Sequence, residues 1–88
     1  MGPFDVIVRV KGIRGKCSFH KVGDTIEFGH NRMEGRICPV AFNSIYYAVY
    51  AMIYGAEFPW EKDKDRRTVG CPDEKNTVTF EIERLRTR

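Results

Sequence analysis

The segment from Ile37 to Ala56 contains no charged residue, although 31% of the chain is Asp, Glu, Lys or Arg. A segment of this length could cross a membrane. However, Cys38-Pro39 at its start and Gly55 near its end are typical of a helix start and stop. Its four tyrosines, with an asparagine and a serine, are unusual in a helix that faces lipid. We therefore predict a buried core helix and no membrane association.

At the helical period of 3.6 residues, this segment divides into three faces. Two of them are apolar or small enough to pack on a sheet, so we expect burial over most of the helix circumference. The third carries polar tips. The large apolar face comprises Phe42, Ile45, Val49, Met52 and Ile53, the small-residue strip Ser44, Ala48, Ala51 and Gly55, and the third face Asn43, Tyr47, Tyr50 and Tyr54.

Strands are indicated on both sides of the helix. Apolar and polar residues alternate from Phe4 to Lys11 and from Thr77 to Glu83, which is the period of a half-buried strand. "TIEF" and "RTVGC" indicate two shorter strands, whereas residues 29–36 are polar and glycine-bounded and indicate an exposed loop. The order β-β-α-β-β predicts an α+β fold, with residues 1–88 forming a single domain in which one buried helix packs on an antiparallel sheet.

The composition limits the class of protein. A domain of 88 residues has a small core, so a cross-link or a metal would stabilise it usefully. The net charge is only +3, and basic and acidic residues alternate in "EKDKDRR", which argues against a nucleic-acid surface. The N-terminus lacks the pattern of a signal peptide. Three cysteines are an odd number, so we predict a cytoplasmic protein with reduced thiols or a metal.

Three cysteines and one histidine fall where the predicted fold could bring them together. Cys17 and His20 lie in the loop after the first strand, Cys38 precedes the helix, and Cys71 ends a strand just before a turn. Zinc prefers four thiolate or imidazole ligands in a tetrahedron, and two ligands three positions apart can bind one ion from a single loop. Cys17, His20, Cys38 and Cys71 are therefore a candidate zinc site, with iron less favoured.

Two other interpretations of the cysteines stay open. Free cysteine is often a small buried core residue. Alternatively, Cys38 could be a reactive thiol, because a helix start stabilises a thiolate, and His20 could act as its base. Pro39 removes one amide donor from that helix end, which weakens the activation.

The polar-tipped helix face suggests a further possibility. Together with Phe58 and Trp60, it could form an aromatic wall for a small organic ligand. Tyrosine at a core edge or at a face between two copies of the chain looks the same in sequence. The candidate ligand-binding residues are Asn43, Tyr47, Tyr50, Tyr54 and Trp60.

The motifs "RGKC", "HKVGD", "ICP", "YGAEFPWEKD" and "CPDEKNTVTFEIER" resemble those of a family of small uncharacterised prokaryotic proteins, frequent in anaerobic bacteria and archaea. The resemblance covers nearly the whole chain and includes all three cysteines, which supports a joint role for them with His20. The chain departs from the family pattern in a shorter Cys-to-His spacing, in Asn43 where histidine is frequent, and in Ala56 where glycine is frequent. The signature positions are Cys17, His20, Lys21, Gly23, Asp24, Cys38, Pro39, Phe42, Gly55, Glu57, Phe58, Pro59, Trp60, Cys71, Pro72 and Asp73.

The sequence thus favours a metal-binding protein in which zinc holds two loops and the helix start together, and in which Glu57, Asp73 and Trp60 border the site. A small enzyme or ligand-binding protein that uses Cys38 and His20 beside the tyrosines is the first alternative. The second is an interaction module that uses Pro59-Trp60 and the tyrosines, with self-association as one form. The sequence leaves open whether the chain is an enzyme.

Overall fold

The computed structural model describes residues 3–72 and 75–85. They form one helix and an antiparallel sheet of five strands, in the spatial order β3-β2-β1-β5-β4. The predicted α+β fold, with one helix on an antiparallel sheet, is confirmed, and the element order gains one strand. The elements are β1 (Asp5–Ile13), β2 (Thr25–Gly29), β3 (Arg32–Glu34), α1 (Pro39–Ile53), β4 (Arg66–Gly70) and β5 (Val78–Leu85).

The two sheet faces differ in chemistry because apolar and polar residues alternate along β1 and β5. The inward residues of both strands are fully or almost fully buried beneath α1, and each large apolar side chain so buried contributes about 1.5–3 kcal/mol. On the open face, Arg9 lies 2.6 Å from Glu83, and Arg66 lies 3.0 Å from Glu81. The inward residues are Val6, Val8, Val10, Val78, Phe80 and Ile82.

The helix begins at Pro39, with Cys38 as its N-cap residue, and ends at Ile53, two residues before Gly55. These bounds agree with the predicted start and stop. Burial over most of the circumference is confirmed, because the exposed residues of α1 are confined to its first turn and its polar-tipped face and the others are buried or half-buried. In the described part of the chain, no helix is long and apolar enough to span a membrane. The buried residues of α1 are Ala41, Ile45, Ala48, Val49, Met52 and Ile53.

Strand β3 lies within residues 29–36, where the sequence predicts an exposed loop. Residues 30–36 are indeed exposed, whereas Gly29 is buried at the end of β2. However, β3 pairs with β2 through Phe28 and Met33 and through Glu27 and Glu34. Arg32 fixes this edge with ion pairs to Asp5, Glu27 and Glu34, at 3.1–3.2 Å. This strand is stabilised by backbone pairing and ion pairs and not by apolar burial. The sequence therefore shows no apolar alternation that would predict it.

Arg84 continues the inward phase of β5 and is buried, with a relative exposure of 2%. Its guanidinium donates to the carbonyls of Met52, Ala56 and Lys64, at 3.0, 2.6 and 2.7 Å. Its Nε donates to the Asp65 carboxylate at 3.2 Å. One buried cation therefore joins the end of α1 and the segment before β4 to the sheet.

Candidate functional site

The antiparallel topology places the predicted site residues at one end of the sheet. Strands β1 and β4 end there, and β2, β5 and α1 begin there, because each strand runs opposite to its neighbour. Cys17 and His20 therefore follow the end of β1, Cys71 follows β4, and Cys38 precedes α1. Three loops that are distant in sequence meet over the start of β5.

The loop that carries Cys17 is bound to the turn that follows Cys71. The backbone N–H of Lys16 donates to the Asn76 side-chain oxygen at 2.9 Å. Gly15 has a φ of +89°, and a Cβ at this position would lie 2.4 Å from the same oxygen. The close approach thus requires glycine, and it holds the two cysteine loops side by side.

His20 is 4% exposed, and both of its ring nitrogens have partners. Nδ1 lies 3.3 Å from the Asp24 carboxylate, and Nε2 accepts the backbone N–H of Cys38 at 3.1 Å. This pattern assigns the ring proton to Nδ1 and uses the Nε2 lone pair for the helix start. A hydrogen bond from the Lys21 backbone N–H is the main reason that the pKa of Asp24 is lowered, while partial burial opposes the shift and His20 adds to it.

Two of the cysteine sulfurs accept backbone hydrogen bonds. The N–H of His20 donates to Cys17 Sγ at 3.3 Å, and the N–H of Val78 donates to Cys71 Sγ at 3.2 Å. Hydrogen bonds to sulfur are a recurrent outer-shell feature of metal-bound thiolates, whose properties they tune. The third sulfur belongs to Cys38, at the N-terminus of α1, where the helix dipole favours negative charge.

A cavity of about 350 Å³ is lined by all four predicted site residues. Within residues 3–72 and 75–85, however, no three Cys, His, Asp or Glu side chains are grouped closely enough to hold a metal ion. The thiols thus surround one space without meeting at a point. The Cys3His ligand set stays a prediction. The cavity is lined by Lys16, Cys17, Ser18, Phe19, His20, Cys38, Val40, Ala41, Cys71, Asn76 and Val78.

The start of α1 also contributes to this cavity. Cys38 provides no side-chain cap, and Pro39 at the first helical position has no N–H. The amides of Val40 and Ala41 are in the first turn, where an α-helix offers them no internal acceptor. Because both residues line the cavity, the helix start adds positive electrostatic potential to it.

The predicted aromatic wall is separate from this cavity, since none of its five residues lines it. Tyr47 is 60% exposed and Trp60 is 65% exposed. The Arg67 guanidinium stacks over the rings of Tyr47, Phe58 and Trp60, at 5.4, 4.4 and 5.1 Å from their centroids. Of the remaining members, Asn43 and Tyr50 are exposed along α1, and Tyr54 is exposed just after its end.

Two residues expected to border the site lie elsewhere. Glu57 and Trp60 follow the far end of α1, and a helix of 15 residues is about 22 Å long. Asp73, the third, lies outside the described residues. Sequence reasoning missed Lys16 and Asn76 as lining residues. The one signal for them was their position, Lys16 beside Cys17 and Asn76 in the turn after Cys71.

No family model, curated protein or solved structure matches the chain. The resemblance based on its motifs therefore stays a prediction, and the site is interpreted from its own geometry.

Proposed function

We propose that the chain binds a thiophilic metal ion, in first place zinc, through the thiolates of Cys17, Cys38 and Cys71. The observation that carries the proposal is their shared cavity, since these residues come from three loops distant in sequence. Three thiolates around one space are a typical soft-metal ligand set.

The sulfurs reach a common point in this proposal by side-chain rotation. Each Sγ is one bond from Cβ, and a change of χ1 between staggered wells moves it by a few ångströms at small energetic cost. The backbone of the Cys17 loop keeps its bond to Asn76 at 2.9 Å while the sulfurs turn inward. The metal then joins the three loops and stabilises a small core.

We assign His20 the role of a positioning residue and not that of a ligand. Its Nε2 lone pair, which a metal would need, already accepts the Cys38 N–H. The same bond weakens the alternative in which His20 deprotonates Cys38, because that reaction uses the same lone pair. The three cysteines are free thiols, which fits a reducing compartment, and we propose the cytoplasm.

The test is metal analysis of untagged protein purified without added metal or thiol reagents. We expect about one zinc per chain, with three sulfurs near 2.3 Å in X-ray absorption spectra and one lighter atom near 2.0–2.1 Å. Replacing Cys17, Cys38 or Cys71 by serine, one at a time, removes the bound metal. If the analysis finds iron and inorganic sulfide instead of zinc, the same three thiols bind an iron–sulfur cluster.

His20→Gln and His30→Gln form a matched pair, because His30 lies outside the cavity, on Tyr54. Because His20 is a positioning residue, His20→Gln lowers metal affinity roughly 10- to 100-fold. The number of zinc ions bound per chain at saturating zinc is unchanged. His30→Gln leaves both quantities as they were. Metal-free protein whose thiols react as fast as free cysteine would refute the proposal.

A further inference from the structure

We propose that the chain forms a two-fold symmetric homodimer, in which the exposed face of α1 packs against the same face of a second copy with the two helices antiparallel. We call this face the tyrosine stripe. The dimer does not depend on a metal, since only one residue of the stripe, Val40, also lines the cavity. The stripe comprises Val40, Asn43, Tyr47, Tyr50 and Tyr54.

The tyrosine stripe has the spacing of a seam between two helices. Its residues follow one another at intervals of three, four, three and four positions, which is the pattern of the contact positions along one side of a coiled-coil helix. Within α1, which is described throughout, every exposed residue except Pro39 lies on the stripe, and Tyr54 continues it just after the helix end. The exposed surface of α1 is therefore a narrow strip that fits a second helix along its length.

The stripe carries no charge. The outer face of a surface helix normally carries charged and polar residues, yet α1 contains no Asp, Glu, Lys or Arg, although 31% of the chain is charged. Tyrosines without charged neighbours are typical of the centre of a protein–protein interface. A lipid surface fits less well, because helices that lie on membranes carry lysine and arginine beside their apolar face.

A cluster beside the middle of the stripe adds the residue types that contribute most to binding. The Arg67 guanidinium lies over the ring of Tyr47 and donates to the Tyr47 hydroxyl at 2.8 Å. The same guanidinium lies 5.1 Å from the ring centroid of Trp60, so this exposed indole is next to the stripe. Tyrosine, tryptophan and arginine are the commonest hot-spot residues of interfaces. Their mutual contacts order them in advance, which lowers the entropy lost on association.

The exposed aromatic surface provides about half of the area that a stable dimer needs. Tyr47, Tyr50, Tyr54 and Trp60 are 60%, 54%, 43% and 65% exposed. Because such side chains have about 150–250 Å² of surface each, the four together offer roughly 330–550 Å². A standard interface buries about 800 Å² per partner. Val40, which is 57% exposed, and the polar rim of the stripe supply the remainder.

The stripe is complementary to itself, which identifies a second copy as the occupant. A two-fold axis at Tyr47 pairs Val40, seven positions before it, with Tyr54 of the second copy, seven positions after it. Asn43 and Tyr50, four positions before and three after, are paired in the same way. Each smaller residue thus faces a tyrosine, and the Asn43 amide can exchange a hydrogen bond with the Tyr50 hydroxyl. Closed two-fold dimers are also the commonest oligomers.

Sedimentation equilibrium tests whether the chain dimerises. The mass of one chain is 10.2 kDa. We expect twice this mass at high micromolar concentration and a return towards the monomer on dilution, because interfaces at the lower end of the size range are weak. Protein that stays monomeric up to millimolar concentration overturns the proposal, and the stripe then fits another occupant, such as an amphipathic helix of a different protein.

Asn43→Lys and Tyr50→Glu test the surface and the orientation of the helices together. Either variant alone places two unpaired charges in the dimer interface and weakens association at least about tenfold. An equal mixture of the two variants forms a heterodimer, because in the antiparallel arrangement the new ammonium faces the new carboxylate. In a parallel pair positions 43 and 50 do not meet, so association that mixing fails to restore overturns the proposed arrangement.

The matched control is Val22→Lys, which adds the same charge to a side chain that is 63% exposed in the loop before β2. We expect no change in its dimer mass, and circular dichroism checks that all three variants keep α1. If Val22→Lys weakens association as much as Asn43→Lys, net charge and not the stripe controls association, and the proposal fails. A dimer that survives both Asn43→Lys and Tyr50→Glu uses another surface, which also overturns it.

Discussion

Replacing Arg84 by methionine tests whether one buried cation holds the end of α1 to the sheet. The change removes three hydrogen bonds to backbone carbonyls, of Met52, Ala56 and Lys64, and the ion pair with Asp65. Each buried acceptor left unpaired costs about 1–3 kcal/mol, part of which the apolar methionine regains by packing. Breaking one side of a buried ion pair costs about 3–5 kcal/mol, which we take as the expected loss. A domain of this size has a stability of roughly 4–13 kcal/mol, so this loss is between about a quarter and all of the free energy of unfolding.

The matched control is Arg66→Met, on the open face of the sheet. Arg66 also has several carboxylate partners, but its side chain is 42% exposed, so its loss costs less than about 1 kcal/mol. Urea unfolding followed by circular dichroism and by the fluorescence of Trp60 measures both. If Arg84→Met and Arg66→Met lower the free energy of unfolding equally, burial of the cation has no special role and the reasoning fails.

Three further predictions concern the candidate site. Gly15→Ala destabilises the fold and removes metal binding, because the new Cβ would lie 2.4 Å from a side-chain oxygen. The control Gly23→Ala has no atom within 4 Å of the new Cβ and costs only the backbone strain of about 1–2 kcal/mol. Thermal melts and the zinc content of the two variants distinguish them. His20→Gln lowers the free energy of unfolding of metal-free protein by about 1–3 kcal/mol, through the lost acceptor for Cys38 N–H, in urea titrations with chelator. Because the pKa of Asp24 is lowered in the folded protein, its carboxylate stabilises the fold at pH values above its ordinary pKa of 3.8. This contribution to the free energy of unfolding is lost as the pH falls through the folded pKa. Asp24→Asn therefore makes the free energy of unfolding less dependent on pH in the acid range, and an unchanged pH dependence would contradict this.

Sequence patterns predicted the elements that depend on burial or on chain breaks. The alternation around Val8 and Phe80 gave two central strands, and Pro39 and Gly55 bounded the helix. Strand β3 was not predicted, because its stability comes from backbone pairing and from the ion pairs of Arg32. Neither of these produces a periodic pattern in the sequence. The burial of Arg84 was not predicted, although its position fits the alternation of the strand. It occupies an inward position of β5 by alternation, but arginine is rarely buried without partners, and those partners come from distant segments.

The sequence predicted that the three cysteines and His20 lie near one another, but not the contacts that they make or the residues that line the cavity with them. Residue type and loop position were enough to group Cys17, Cys38 and Cys71, which the structure places around one cavity. The role of His20 depends on its Nε2 lone pair, which accepts a hydrogen bond from the Cys38 N–H. Cys38 is 18 positions away from His20 in the sequence. Sequence spacing carries no information about such a contact.

The pairing of β1 with β5 affects how the chain folds. The Arg9 side chain of β1 donates to Glu83 of the neighbouring β5, although the two residues are 74 positions apart. Topologies dominated by such distant contacts fold slowly, because the entropy of closing a long loop is lost before the contacts form. During synthesis, β1 lacks this partner strand until β5 has left the ribosome, so the edge of β1 that pairs with β5 stays open until then.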